Sequence, residues 1–343
     1  MSIPYRTQQN LKRLAGTLLI LLVVALIFGA LWFVWLQRYV VYTREDGAVI
    51  NFDLPEKLQQ GVTAMEPEIA ETIELYYNEG ENKMEVSSDL MKLNGYYVTG
   101  STLARNPDAV LEQIMSLPAG TPVMVELKNV YGMFYYSTAT GRPTSDEADV
   151  RGVDNLIRKL KDSGYYTIAR VPALRDRAYG LEDPNEGLAV PAGYLWMDGD
   201  GCYWLDPTRD KIQSYLMDIC TELRVLGFDE VVFDEFRFPN TDGIVFSGDR
   251  NATLESVAQT LVDTCSTEIF AVSFISNGSW KEPEGRSRVY RQDISDAIKL
   301  MEFNNSVTVE EPQTRVVLLT NNMDESFEEY SVLRPIDLAI GEE

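Results

Sequence analysis

The sequence predicts an α/β fold, a parallel (β/α) barrel of the TIM type that follows an N-terminal transmembrane helix. Two observations predict its parallel sheet, closed as a barrel or left open. Strand and helix signals alternate from Leu93 onward, and long connections follow the third, fourth and fifth strands on the same side. An uncharged apolar run, Leu14 to Leu36, predicts the membrane helix. The predicted organisation is a tail (1–13), a transmembrane helix (14–36), a hairpin and acidic stalk (37–90) and the barrel (91–343).

The apolar run is long enough to cross a membrane. As a helix its 23 residues span about 34 Å at about 1.5 Å per residue, and a bilayer core is about 30 Å thick. Trp32 and Trp35 lie where an interfacial belt is expected. Basic residues before the run favour a cytoplasmic N-terminus, with the rest of the chain outside. A cleaved signal peptide is the alternative, but the run is long for one and no A-x-A site ends it.

Residues 37–90 connect this helix to the barrel. Tyr39 to Leu54 has the pattern of two short strands around Asp46-Gly47, which is a hairpin signal. Pro55 to Asp89 is acidic and is interpreted as a solvated stalk, with a helix over Glu66–Tyr77.

The barrel region contains six clear strand patterns: Gly95–Thr99, Pro122–Lys128, Tyr165–Val171, Phe228–Phe236, Ile269–Ile275 and Arg315–Thr320. Helical patterns lie between them at Asn106–Leu117, Asp149–Ser163, Thr208–Leu226, Asn251–Cys265 and Gln292–Met301. Val307–Glu310 is a candidate seventh strand. An eighth is not evident, so the sequence leaves open whether the barrel is complete at its C-terminal end.

The fourth strand pattern marks the candidate site. It lies within G-F-D-E-V-V-F-D-E-F-R-F-P, residues 227–239, where a buried apolar run ends in Asp234, Glu235 and Arg237. Adjacent residues of a regular strand point to opposite faces, so, if the strand is regular here, we expect only one of the two carboxylates to face the barrel axis. The other would lie on the helix side and pair with Arg237. A structural ion pair at a strand end is the alternative.

Neighbouring strands also end in charge, at Glu126, Lys128 and Arg170. Glu126 and Asp234 would then converge on one mouth. Glycoside hydrolysis needs such a pair, one carboxylic acid to protonate the leaving oxygen and one carboxylate as nucleophile or base.

A loop from Pro172 to Pro207 supplies aromatic side chains for stacking on sugar rings, although they would serve equally as loop anchors; they are Tyr179, Tyr194, Trp196, Tyr203 and Trp204. Asp198-Gly199-Asp200-Gly201 hints at a calcium loop but lacks the further ligand spacing, so a tight turn is preferred. Asp206-Pro207 is explained by an N-cap and an N1 proline.

Composition excludes several function classes. The chain has no histidine, which excludes Ser-His-Asp, Cys-His and His-zinc chemistry and leaves acid-base work to carboxylates, Tyr or Lys. Its net charge is −23, so a nucleic-acid partner is not expected. The three cysteines form neither a CxxC motif nor a disulfide framework. No metal or cofactor is predicted.

Five segments together resemble a known family: G-Y-Y-V-T-G (95–100), V-E-L-K-N-V-Y-G (125–132), Y-Y-T-I-A-R-V-P-A-L-R-D (165–176), L-W-M-D-G-D-G-C-Y-W-L-D-P (195–207) and the segment 227–239. They are similar to the "putative glycoside hydrolase domain" of bacterial envelope proteins, a TIM-barrel family related to glycosidases. The match runs from about Gly95 to Ile298. It implies that Asp234 is the leading catalytic carboxylate and that Arg237, Asp206 and Trp204 are site or loop-shaping residues.

Three positions depart from the family pattern. Glu126-Leu127-Lys128-Asn129 stands where the family usually has D-V-K-D, Ser273 stands at a usual Asp, and Glu235 replaces the tyrosine of D-Y. Two expected carboxylates are thus altered or lost. Either Glu235 or Glu126 supplies the acid, or catalysis has been lost.

The sequence therefore predicts a membrane-anchored, extracytoplasmic glycoside-hydrolase-like barrel that acts on an envelope or environmental polysaccharide. Its partners would be a polysaccharide or oligosaccharide and, through residues 14–36, the lipid bilayer. The catalytic candidates are Asp234, Glu235 and Glu126, and the candidate substrate-binding residues are Lys128, Arg170, Asp176, Trp196, Trp204, Asp206 and Arg237. The alternative is a non-catalytic barrel that binds glycan or a partner protein. A lone Asp234 whose neighbours are all held in salt bridges would refute the enzyme hypothesis.

Overall fold

A computed structural model describes residues 40–43, 47–50 and 90–336. The chain divides into two compact units, residues 1–80 and 81–343, which are described separately. In the first unit, strands β1 (Val40–Thr43) and β2 (Gly47–Ile50) pair antiparallel, with Val40 opposite Ile50, as the hairpin signal predicted. The predicted transmembrane helix at 14–36 and the stalk helix at 66–77 lie outside the described residues. Within the described ranges, no helix is both long and apolar enough to span a bilayer.

The second unit is a closed barrel of eight parallel strands. In chain order they are β3 (Asn94–Val98), β4 (Pro122–Glu126), β5 (Tyr166–Pro172), β6 (Glu230–Asp234), β7 (Ala271–Ile275), β8 (Val289–Arg291), β9 (Val316–Leu319) and β10 (Ser331–Pro335). Strand β10 pairs with both β9 and β3, which closes the ring. The predicted barrel is confirmed, and it is complete.

Helices follow most strands and cover the outside of the barrel, as the alternating pattern predicted. They are α1 (Gly100–Arg105), α2 (Pro107–Met115), α3 (Val150–Lys161), α4 (Arg177–Glu182), α5 (Asp210–Leu226), α6 (Arg250–Cys265), α7 (Ala297–Ser306) and α8 (Pro312–Arg315). Asp149 precedes helix α3 as its N-cap, and its side chain accepts a hydrogen bond from the Gly152 N–H.

The last third of the barrel differs from the sequence prediction. Val307–Glu310 is a loop and not a strand. The two strands that the sequence did not predict are β8, which has three residues, and β10, which follows a short 3₁₀ helix. A three-residue strand is too short to show an alternating pattern. The predicted helix at Gln292–Met301 begins only at Ala297, where the Asp296 side chain accepts from the Ile298 and Lys299 N–H groups.

The interior of the barrel is filled by side chains from nearly every strand. The apolar members are Leu93, Met124, Ile168, Val232, Tyr290, Val317, Leu319 and Leu333. A larger apolar layer between the strands and helices α1 to α6 surrounds it. The barrel is therefore a packed core and not a pore, and any site has to lie at its ends.

A buried polar network closes the N-terminal end of the barrel. Glu230, the first residue of β6, is fully buried and accepts hydrogen bonds from Ser273, Tyr290, Tyr166 and Arg288. Burial first, and then the Glu230 carboxylate, raises the pKa of Tyr166 and of Tyr290, which keeps both hydroxyls protonated as donors. With its donors satisfied, this network is structural.

Candidate functional site

The C-terminal end of the barrel brings three predicted site residues onto the interior face. Glu126, Arg170 and Asp234 each lie two positions after an interior apolar residue, Met124, Ile168 and Val232 respectively. Glu126 is in register with Arg170, and Asp234 is in register with Pro172, one layer higher. These side chains therefore project toward the same mouth.

Arg170 and Asp234 form an ion pair at this mouth. Arg170 Nε donates to Asp234 Oδ2 at 3.0 Å, and Arg170 Nη2 donates to the same oxygen. The two side chains are only 16% and 18% exposed, so the pair is largely shielded from water. Burial acts to lower the pKa of Arg170, but the Asp234 and Glu126 carboxylates outweigh it and the pKa lies above its usual value.

Glu126 is held by the backbone of the first helix. Its Oε2 accepts a hydrogen bond from the Gly100 N–H at 3.0 Å. A Cβ at Gly100 would lie 2.4 Å from the Tyr135 ring, so only glycine fits there. Burial, and secondarily Glu126, raises the pKa of Tyr135. Among the described residues, Glu126 forms no ion pair, although its charge acts on Arg170.

Glu235 lies outside the strand. Strand β6 ends at Asp234, and Glu235 has a left-handed backbone with φ +49°. The regular strand on which the expectation of opposite faces depended therefore ends at Asp234, and both carboxylates line one cleft. The expected pair of Glu235 with Arg237 is confirmed at 2.6 Å, and Arg175 lies 3.4 Å from the other carboxylate oxygen.

The long loop after β5 is fastened to this mouth by Arg175. Arg175 Nε donates to Asp198 at 2.7 Å and Nη2 donates to Asp200 at 2.5 Å. Asp198 also accepts hydrogen bonds from the Asp200 and Cys202 N–H groups, so this segment is the predicted tight turn. Burial by itself would raise the pKa of Asp198. Hydrogen bonds from Arg175 and other donors outweigh burial, so the pKa lies below its usual value.

The two tryptophans of this loop differ in accessibility. Trp204 is 3% exposed, donates from Nε1 to Asp198 at 3.1 Å and packs under the Arg237 guanidinium at 4.7 Å, so it is a loop anchor. Trp196 is partly buried, with its ring 6.5 Å from that of Trp204. Tyr194 is 69% exposed and is therefore the loop aromatic most available for stacking.

Three of the predicted substrate-binding residues have structural partners away from the cleft. Lys128 is fully buried, pairs with Asp176 at 2.6 Å and donates to the Pro172 carbonyl at 2.8 Å. Asp206 accepts hydrogen bonds from the Thr208 N–H and hydroxyl. Helix α5 begins at Asp210 with Arg209 as its N-cap, so Asp206 forms a turn and not the predicted helix cap. Nothing in this arrangement supports substrate binding by Lys128, Asp176 or Asp206.

A cleft of about 710 Å³ opens beside Asp234 and contains one carboxylate that sequence reasoning missed. Its walls include Arg170, Glu235 and Arg237, and also Asp293. Asp293 follows β8 and pairs with Arg291 at 2.7 Å. Partial burial by itself would raise the pKa of Asp293. Hydrogen bonds from Arg291 outweigh burial, so the pKa lies below its usual value. The missed signal was a carboxylate two residues after the three-residue strand Val289–Arg291. Glu126 does not line this cleft.

Ser273 lies below the mouth. It is fully buried in β7, opposite Val232, and its hydroxyl donates to Glu230 at 2.5 Å. The position at the mouth on this strand is Ile275. Serine at 273 therefore removes no carboxylate from the cleft, contrary to what the family pattern suggested.

Comparison with known families identifies the barrel. Residues 95–273, just over half of the chain, match the family model described as "Putative glycosyl hydrolase domain". The chain belongs to this family. The match covers β3 to β7 and ends at Ser273, and it includes Glu126, Arg170 and Asp234. Among curated proteins, none matches this sequence.

Solved structures are similar to this chain, and two of them have TM-scores above 0.5. A variant of the GH36 alpha-galactosidase from Geobacillus stearothermophilus aligns over 74% of this chain and 40% of its own, with 11% identity and a TM-score of 0.51. The alpha-galactosidase from Lactobacillus brevis aligns over 73% and 38%, with 9% identity and a TM-score of 0.51. A hypothetical protein from Ruminiclostridium thermocellum is 20% identical over 52% of this chain and 96% of its own, with a TM-score of 0.45. The chain thus spans about 40% of the galactosidases' length, and at these identities the likeness establishes the fold alone.

Proposed function

We infer that this barrel is a glycoside hydrolase that cleaves O-glycosidic bonds of a polysaccharide at its C-terminal mouth. The observation that carries the proposal is Asp234. It is an interior-facing carboxylate at the end of a barrel strand, paired with Arg170 and bordering a cleft of about 710 Å³. That strand end is where TIM-barrel enzymes build their sites.

Asp234 suits the role of nucleophile or base. An ionised carboxylate is needed to attack the anomeric carbon or to take a proton from the attacking water. Arg170 supplies a fixed positive charge beside it, and the Glu235 N–H donates to its Oδ1 at 2.7 Å, which orients the carboxylate. As the glycosidic bond breaks, the leaving oxygen must receive a proton from a second group.

Two carboxylates are candidates for that acid. Glu126 forms no ion pair among the described residues. Asp293 lines the same cleft as Asp234, but its pair with Arg291 holds its pKa below the usual value, which suits a proton donor less well. Glu235 is a poor candidate, because Arg175 and Arg237 each contact one of its carboxylate oxygens. A carboxyl separation of about 5–5.5 Å in a complex would indicate retention of anomeric configuration, and about 6.5–9.5 Å inversion.

The proposed location is the outer face of a membrane, with residues 14–36 as an anchor and the barrel outside the cytoplasm. Support comes from the apolar run and from the basic residues before it. An enzyme fixed there reaches envelope or environmental polysaccharide, and its acidic surface makes nucleic acid an unfavourable partner.

The test uses the full-length chain, purified in detergent and incubated with purified envelope polysaccharides. Release of reducing ends is compared for the wild type, Asp234→Asn, Glu126→Gln and Asp293→Asn. Asp162→Asn, at an exposed position just after α3 at the opposite end of the barrel, is the matched control. We expect a loss of about 10³-fold or more for Asp234→Asn, a group that acts in the transition state, and a smaller loss for whichever variant removes the acid. Equal release by the wild type and Asp234→Asn would refute the assignment.

A non-catalytic glycan-binding barrel is the second candidate. It is favoured by the ion pairs that occupy Asp234, Glu235 and Asp293, because each leaves fewer free carboxylate lone pairs. Under this function, no reducing ends are released, and glycan binding is the same in the wild type and in Asp234→Asn.

A further inference from the structure

A second compartment adjoins the cleft at Asp234. It also has a volume of about 710 Å³, and it lies between the segment Asn277–Glu282, helix α7 and the following residues Val307–Val309. The two compartments share Asn277, Ser279, Trp280 and Asp293 as lining residues. Pockets for one small ligand measure about 300–1,000 Å³, so each compartment by itself has room for a ligand.

The shared wall is firmly held. Trp280 is 4% exposed, and its ring packs against Phe236 at 5.8 Å and Phe274 at 5.7 Å. The Lys281 N–H donates to Glu255 at 2.8 Å, and the Gly278 N–H donates to the Ser276 hydroxyl at 3.0 Å. Asn277 and Ser279, between these anchors, remain exposed with polar side chains. A fixed wall with exposed amide and hydroxyl groups suits hydrogen bonding to sugar hydroxyls.

The charges along both compartments point to a neutral ligand. Acidic and basic side chains line the combined groove in equal numbers. The bases nearest Asp234 are already paired, Arg170 with Asp234 and Arg237 with Glu235. A polyanionic chain would therefore meet carboxylates along its length, on a protein of net charge −23.

We propose that the two compartments form one groove that binds a neutral, hydroxyl-rich polysaccharide lengthwise over several sugar units. The proposal rests on the proposed function for the position of cleavage, since Asp234 lies in only one of the compartments. Residues around α7, such as Ser306 and Thr308, contact units of the chain distant from the bond that is cleaved.

The experiment measures binding by calorimetry with full-length Asp234→Asn protein, which prevents turnover. The probes are neutral malto-, cello- and chito-oligosaccharides of two to six units, with oligogalacturonides as the anionic comparison. Thr308→Trp fills the second compartment at an exposed loop position. The control is Thr264→Trp, an exposed position in the last turn of α6, at the other end of the barrel.

We expect affinity for one neutral series to rise about tenfold or more between two and six units, equivalent to about 1.4 kcal/mol or more. Thr308→Trp should abolish that rise without changing the affinity for two units, while Thr264→Trp changes neither. Affinity that does not depend on length, preference for oligogalacturonides, or no binding of any probe would overturn the proposal.

The two proposals fail in different ways. Hydrolysis by the wild type without length dependence leaves the proposed function standing and removes the extended groove. Length-dependent binding by a protein that releases no reducing ends keeps the groove and removes the hydrolase.

Discussion

The Arg170–Asp234 pair determines how Asp234 can be tested. Both side chains are mostly buried, so deleting the carboxylate would leave an uncompensated guanidinium. Breaking a buried pair in this way costs about 3–5 kcal/mol. Asparagine keeps the size of the side chain and one oxygen that accepts from Arg170, so Asp234→Asn removes the reactive group with less effect on folding than alanine.

Lys128 and Asp176 also form a buried ion pair, but neither side chain is accessible to a substrate. Their exposed fractions are 0% and 1%, and Lys128 lies 5.5 Å from the Tyr215 ring centroid. Their charges satisfy each other beneath the loop that follows β5. A charged residue near a strand end is therefore not by itself evidence of substrate contact, because a buried side chain cannot reach a substrate.

Ser273→Asp distinguishes the family pattern from the structure. The substitution installs the residue that the family pattern suggested, but here it places a second carboxylate against Glu230, 2.5 Å from the present hydroxyl. We expect a loss of several kcal/mol in the free energy of unfolding, because a buried charge lacks a partner. Denaturant titration of the full-length chain measures it.

Ser273→Ala is the matched control for this substitution. It adds no charge but removes two hydrogen bonds, the one that the hydroxyl donates to Glu230 and the one that it accepts from the Arg288 N–H, at a cost of about 1–3 kcal/mol each. If the Ser273→Asp variant is as stable as the wild type and releases more reducing ends, that result would contradict the position assigned to this side chain.

Among the elements, the turn from α5 into β6 positions the site strand. Gly227 ends α5 with φ +93°, and the Phe228 N–H donates back to the Leu223 carbonyl at 3.1 Å. The Asp229 N–H then donates to the Thr167 carbonyl of β5 at 2.9 Å, which starts the register that places Asp234 beside Pro172. The location of the candidate nucleophile thus depends on one left-handed residue seven positions earlier.

Gly227→Ala tests this turn. A Cβ there would lie 2.6 Å from Lys161 Cγ, and a non-glycine residue in the left-handed region costs about 1–2 kcal/mol. We expect a loss of that order in the free energy of unfolding, measured by denaturant titration. Gly199→Ala is the control, because its Cβ meets no atom within 4 Å and its φ is not positive. Equal stability of the two variants would refute the role of Gly227.

At the scale of the whole molecule, closure of the barrel depends on its last strand. Strand β10 fills the gap between β9 and β3, and Leu333 projects into the interior with 0% exposure. Residues more than two hundred positions apart are thereby neighbours, as in the pair Val332 and Asn94.

Leu333→Ala measures that closure. In a closed barrel the truncation leaves a cavity in the core and should lower the free energy of unfolding by about 2–5 kcal/mol. Leu181→Ala, at a position that is 57% exposed, should change it by less than about 0.5 kcal/mol. Similar small effects at both positions would show that β10 does not complete the core.

The sequence by itself determined the succession of parallel strands and helices and the position of Asp234, and it left open whether the sheet closes. Both follow from local patterns, since apolar runs of five or more residues specify strands and a charge after such a run lies at the strand's C-terminal end. The sequence did not predict strands β8 and β10. Strand β8 has only three residues, and β10 is recognisable only through its pairing with β9 and β3.

Only the tertiary structure decided which charged side chains form ion pairs. Lys128 pairs with Asp176, and Glu235 pairs with Arg175 and Arg237. Asp293, in the segment after β8, lines the same cleft as Asp234. The physical reason is that secondary structure follows from the period of nearby residues. An ion pair instead depends on distance and burial between segments that come together only when the barrel closes.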